Sequence, residues 1–159
     1  VERFMNTLNG VLSKVKEALN KLYEKDQYLI HSGGNNHVSE RSITHKIGAY
    51  LTSLFEAYDV DCEYNRFDCE GKFVEKLKQN VIPDIIIHKR GEVNNFVAIE
   101  IKTWWNKHKR SSDIDKLTEL TRGKYHYKYG FSIVINKNRD LVIATIIENG
   151  EIKYTDIHI

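Results

Sequence analysis

The chain has 159 residues, 41% of them hydrophobic and 11% aromatic, with one proline and nine glycines, so it suits one folded domain and excludes disordered, collagen-like and Pro-rich architectures. Its 24 basic and 22 acidic residues leave a net charge of +2, too small to name a partner. No apolar stretch is long enough to span a bilayer, the N-terminus lacks the apolar run of a secretory signal, and Cys62 and Cys69 lack C-x-x-C spacing; a cytoplasmic protein with free thiols and no membrane attachment is expected.

Phe4, Leu8, Val11, Leu12, Val15, Leu19 and Leu22 recur at steps of three and four, which predicts an amphipathic helix ending near Lys25. Residues 31–36, rich in Gly and Asn, read as a loop. A second helix starts after Ser39 as its N-cap and buries Ile43, Ile47, Leu51, Leu54 and Tyr58. Glu40 lies on that same stripe. The helix dipole favours an acid there by less than about 1 kcal/mol, below the cost of burying a carboxylate without a partner. A cation is therefore expected beside Glu40, and Lys102 would serve.

Residues 60–67 read as a strand, and residues 68–80 as a turn with a short helix around residues 73–77. Ile85-Ile86-Ile87, the turn Arg90-Gly91-Glu92 and the alternation over residues 96–102 predict a hairpin. Residues 113–129 are expected to be helical, with Ile114, Leu117, Leu120, Thr121, Lys124 and Tyr125 near one face and Gly130 as the stop. Residues 131–135 and 141–147 follow as strands, and Asn149-Gly150 turns the chain into a last strand from Glu151. A strand, a helix and a further strand form a crossover unit, which sets residues 131–135 parallel to an earlier strand. The expected class is α/β, a mixed central sheet flanked by helices.

The chemistry concentrates on the hairpin. Residues two apart on a strand share a face, so Glu100 and Lys102 project with Phe96 and Ala98, and Asp84 projects with Ile86 and His88. With the turn centred near Glu92, Asp84 and Glu100 lie opposite each other and point to the same side. Two carboxylates so placed repel, and a divalent cation removes that penalty; a few oxygen ligands with retained waters describe Mg²⁺ better than zinc. Lys102 beside the cation can orient a water or stabilise charge on a phosphoryl oxygen. The plainer alternative is an ordinary ion-pair cluster at the end of a sheet.

Other features are less specific. The seven histidines show no zinc-binding spacing, and Gly33-Gly34 is not a phosphate loop. Residues 103–128 hold seven Lys/Arg against three acids, a local +4 that could face phosphate. Trp104 and Trp105 precede Lys107, Lys109 and Arg110, and aromatics beside cations can stack on bases, although closing the core serves either Trp equally well.

Pro83-Asp84, then Glu100-Ile101-Lys102 after fifteen intervening residues, with Glu40 on a preceding helix, resembles the active site of the PD-(D/E)xK nuclease superfamily. The likeness covers roughly residues 39–135 of a single domain spanning 1–159. It implies a restriction-endonuclease-like core with an added N-terminal helix and a C-terminal β-hairpin. It also implies that Asp84 and Glu100 bind Mg²⁺, for which Mn²⁺ can substitute, helped by the backbone carbonyl of Ile101. Lys102 would position or activate the attacking water, and Glu40 would be a metal or water-shell ligand. Lys116, in Asp115-Lys116-Leu117, matches members in which a helix Lys reaches the phosphate or the active-site cluster. The expected activity is metal-dependent hydrolysis of DNA phosphodiesters, with a homodimer if both strands are cut. The alternatives are a catalytically silent nucleic-acid-binding module of the same fold, or a nuclease acting on RNA.

Overall fold

The computed structural model describes residues 6–31, 37–64, 66–67, 70–74, 77 and 79–159. Phe4, most of the Gly-Asn loop and Cys69 lie outside these residues. Helices α1 (Leu8–Lys25), α2 (Gln27–His31) and α3 (Glu40–Leu54) come first, so His31 ends a short helix instead of opening a loop. Ser39 caps α3, its hydroxyl accepting from the Arg41 N–H at 3.3 Å.

Strand β1 (Asp59–Cys62) is shorter than the 60–67 run suggests. It is followed by two small ribbons, β2 (Arg66–Phe67) with β3 (Glu70–Gly71) and β4 (Phe73–Val74) with β5 (Gln79–Asn80). Of the helix expected around residues 73–77, Phe73 and Val74 belong to this second ribbon, Leu77 has 3₁₀ conformation, and residues 75 and 76 lie outside the described residues. Strands β6 (Ile85–Lys89) and β7 (Asn94–Thr103) form the expected hairpin, helix α4 (Ser111–Arg122) follows, and β8 (Tyr129–Ile135), β9 (Ile143–Glu148) and β10 (Glu151–His158) complete the chain. A short 3₁₀ turn at Arg139–Leu141 takes the first residue of the strand expected at 141–147.

The result is a mixed six-stranded open sheet in the order β1-β6-β7-β8-β9-β10, in which β7 and β8 are parallel and the other neighbours antiparallel. One face carries α1 and α3, whose Val15, Leu19, Ile43, Ile47 and Leu51 pack with Ile85, Val97, Ile99, Ile101 and Phe131. The other face carries α4, with Leu117 and Leu120 against Ile86, Ala98 and Ile147. Both faces of β7 are thus covered, which explains its continuous burial from Phe96 to Ile101. No helix among the described residues is long and apolar enough to cross a membrane.

Three local features differ from the sequence reading, each for an identifiable reason. Helix α4 stops at Gly123, whose N–H closes on the Glu119 carbonyl at 2.8 Å, so Lys124 and Tyr125 lie beyond it. Gly130 is instead a strand residue: a Cβ there would come within 3.2 Å of Leu117, so the glycine lets α4 seat closely on the sheet. Phe96 packs with Val97 and Ile99 on the α1/α3 face rather than with Ala98. The pairing steps from Ile87 with Val97 to His88 with Asn95, leaving Phe96 as the extra residue of a β-bulge, which breaks the alternation. The closing hairpin follows expectation, since Asn149 and Gly150 take φ of 53° and 74°, the left-handed pair of a type I′ turn.

Candidate active site

The bulge lies on the turn side of the hairpin and leaves the register beyond it intact. Ile85 pairs with Ile99, which extrapolates to Asp84 opposite Glu100, the juxtaposition that a turn centred on Glu92 requires. Strand β6 begins at Ile85, whereas β7 runs on through Thr103 with only β8 beside it. The carboxylates therefore sit where β6 and β7 part and a sheet position opens. Asp84 fills part of that gap, its Oδ2 accepting from the Ile101 N–H at 2.7 Å. A strand residue directs its N–H and C=O to the same edge, so the Ile101 carbonyl also faces this opening.

Glu100 is 3% exposed. Burial, then the nearby Asp84 charge, pushes its carboxyl up to about 8, although Lys116 Nζ donates to Oε1 at 2.9 Å and opposes the rise. Burial also holds the Asp84 carboxyl above the usual carboxylate range, against the pull of the Ile101 N–H and Lys116, while Glu40 and Asp113 add to the rise. Four carboxyl groups, Glu40, Asp84, Glu100 and Asp113, thus share one electrostatic neighbourhood with two ammonium groups. Lys116 comes from α4, one turn into the helix, and reaches across to the sheet.

Lys102 lies on the same face as Glu100, and its Nζ pairs with Asp113 Oδ2 at 3.0 Å. Asp113 was missed as a site residue, although its signal matches that of Glu40. It precedes Leu117 by four and Leu120 by seven, so it lies on the buried stripe of α4, where a solvated acid has no place. Glu40 differs from expectation in its partner. Its Oε2 accepts from the Thr103 N–H at 2.8 Å and the Thr103 hydroxyl at 2.9 Å, and the Asn106 amide donates to both carboxylate oxygens at 3.1 Å. Neutral donors satisfy this carboxylate, and the cation expected beside it is spent on Asp113.

The basic residues after β7 divide. Lys107 and Lys109 are exposed. Arg110 turns inward: Nε donates to the Ser132 hydroxyl at 2.9 Å, Nη2 to the Ser132 carbonyl at 2.6 Å, and Nη1 pairs with Asp156, so it ties β8 to β10. Trp104 and Trp105 are half-buried against the edge of the α1/α3 core.

Among the described residues no three His, Cys, Asp or Glu side chains form a metal cage by themselves. Two carboxylates and a main-chain carbonyl at one opening are nevertheless a donor set for a hard cation that keeps part of its water shell. Neither a protein-family model nor a curated protein matches the chain.

Proposed function

We propose that this chain is a metal-dependent nuclease of the PD-(D/E)xK type, with a restriction-endonuclease-like core, hydrolysing phosphodiester bonds of DNA. One observation carries the reading: half-buried Asp84 and buried Glu100 face each other where β6 and β7 diverge, both with raised carboxyl pKa, and Lys102 stands on the same face. A structural ion pair lowers the pKa of its acid. Here burial first, and then mutual repulsion, holds the opposed pair in the protonated direction despite Lys116, and a divalent cation would offset both.

The donor set fits Mg²⁺ or Mn²⁺, with Asp84, Glu100 and the Ile101 carbonyl as ligands. When bound, such an ion polarises a phosphoryl oxygen and lowers the pKa of water. The chain's own residues do the rest. Lys102, held by Asp113, presents a fixed ammonium to charge developing on phosphate. Lys116 pairs with Glu100 and is the second cation within reach of a phosphate. Glu40 fixes the end of β7 through Thr103, so the Glu100-Ile101-Lys102 segment is held at Ile101 by Asp84 and just beyond Lys102 by Glu40.

The test is cleavage of supercoiled and linear single-stranded DNA with Mg²⁺, Mn²⁺ or EDTA, comparing the native chain with Asp84→Ala and Lys102→Ala, and RNA as a parallel substrate. Metal-dependent nicking lost in both variants supports the reading, and RNA cut in preference to DNA changes only the substrate. A folded chain that cuts nothing but binds nucleic acid is the silent module, a reading favoured by the fact that both ammonium groups already have carboxylate partners.

A further inference from the structure

Glu40 has a second consequence. The Asn106 N–H bonds the Thr103 carbonyl at 3.0 Å, closing a turn with Trp104 and Trp105 at its centre. Glu40 grips both ends of that turn, through the Thr103 N–H and hydroxyl and through the Asn106 amide. Three residues before Glu40, the exposed His37 ring stacks on Trp105 with centroids 4.2 Å apart and planes 4° from parallel, while Trp104 meets both rings edge-on. One carboxylate therefore locks together a three-ring cluster from two distant segments, beginning two residues beyond Lys102.

We propose that His37, Trp104 and Trp105 form a stacking platform for an unpaired nucleobase next to the cleavage site, which makes single-stranded DNA or a frayed duplex end the substrate class. This rests on the nuclease reading for the identity of the ligand. A base within a duplex has both faces covered by its neighbours, so an exposed flat ring can accept only a base that has left the stack. Charge complementarity supplies the second argument. Lys107 and Lys109 follow the platform directly, are exposed, and form no ion pair among the described residues, so they are placed to meet the phosphates on either side of a stacked base.

The two tryptophans are the only ones in the chain, so tryptophan emission reports this corner alone. In EDTA, where metal-dependent cleavage is blocked, a single-stranded thymine oligonucleotide carrying an end label is titrated, following emission and label anisotropy together. The expected result is saturable quenching that tracks binding and is weaker with a blunt duplex. His37→Ala, at an exposed position, should weaken binding by about fivefold or more with an unchanged melting temperature. Trp104→Phe and Trp105→Phe assign the signal to one ring. Oligonucleotide binding with unaltered emission, or equal binding by His37→Ala, overturns the platform, as does faster cleavage of blunt duplex than of single strands. Those results leave the nuclease reading intact. Quenching with no cleavage in any metal overturns the nuclease and keeps the platform.

Discussion

Two groups of charges lie at opposite ends of the β6–β7 hairpin, and they are built on opposite principles. At the turn end, Asp61 accepts from His88 Nε2 at 2.7 Å and forms a two-point pair with Arg90. The Arg90 guanidinium holds the Asp61 carboxyl below its usual range, with His88 assisting against burial. At the open end, Asp84 and Glu100 are raised, Glu100 to about 8, because burial and mutual repulsion outweigh Lys116. The first group is complete as it stands. The second carries more acid than base, and that imbalance is what supports the proposed cation site there.

The two ends should differ most in activity. Lys102→Ala or Asp84→Asn should lower metal-dependent cleavage by at least about 100-fold, as losing a transition-state charge partner does, whereas Asp61→Asn should leave it unchanged; a nicking assay on all three decides. Next in size is the pH dependence of stability without metal. Glu100 binds its proton more tightly folded, near 8, than at its ordinary 4.5, so stability falls as pH rises between these values. Glu100→Gln should remove that fall, on the order of a few kcal/mol at pH 8. Asp61 has the opposite sign: its contribution is complete above the ordinary 3.8 and is lost as pH falls through its lowered folded value. Denaturant melts of both variants across pH separate the two slopes.

A smaller effect is expected from the cation itself. At about one hundred times its dissociation constant Mg²⁺ should stabilise the chain by about 2.7 kcal/mol, more at pH 8 than at pH 6 because Glu100 must release its proton. Chelation should reverse the gain, and Asp84→Asn should abolish it. Smallest is Asp61→Asn at neutral pH, which should cost about 1–2 kcal/mol, since Arg90 is largely exposed. Thermal melts measure both.

The sequence made the open end more legible than its surroundings. Apolar alternation and one turn set the register, so the opposition of Asp84 and Glu100 followed from counting residues about Glu92. The bulge at Phe96 was invisible because an unpaired residue leaves no trace in an apolar run. Gly123 and Gly130 are the same letter; one ends a helix and the other admits it to the sheet, a distinction set by tertiary packing. Glu40 lies on the core side of its helix as its stripe requires, half-buried, but charge alone suggests a cation, while backbone and amide donors satisfy it. Asp113 satisfies the same stripe criterion, yet enters the sequence reading only as one of the three acids in the charge balance of residues 103–128.

On the proposed reading, Asp84 and Glu100 are opposed because they share a cation. Calorimetric titration of Mn²⁺ at pH 8 into the native chain, Asp84→Asn and Glu100→Gln measures that sharing. The expected result is saturable binding, with proton release, that is lost in Asp84→Asn and weakened at least about tenfold in Glu100→Gln. Absence of binding at millimolar Mn²⁺, or binding indifferent to both substitutions, would contradict it and leave the open end of the hairpin as an ion-pair cluster.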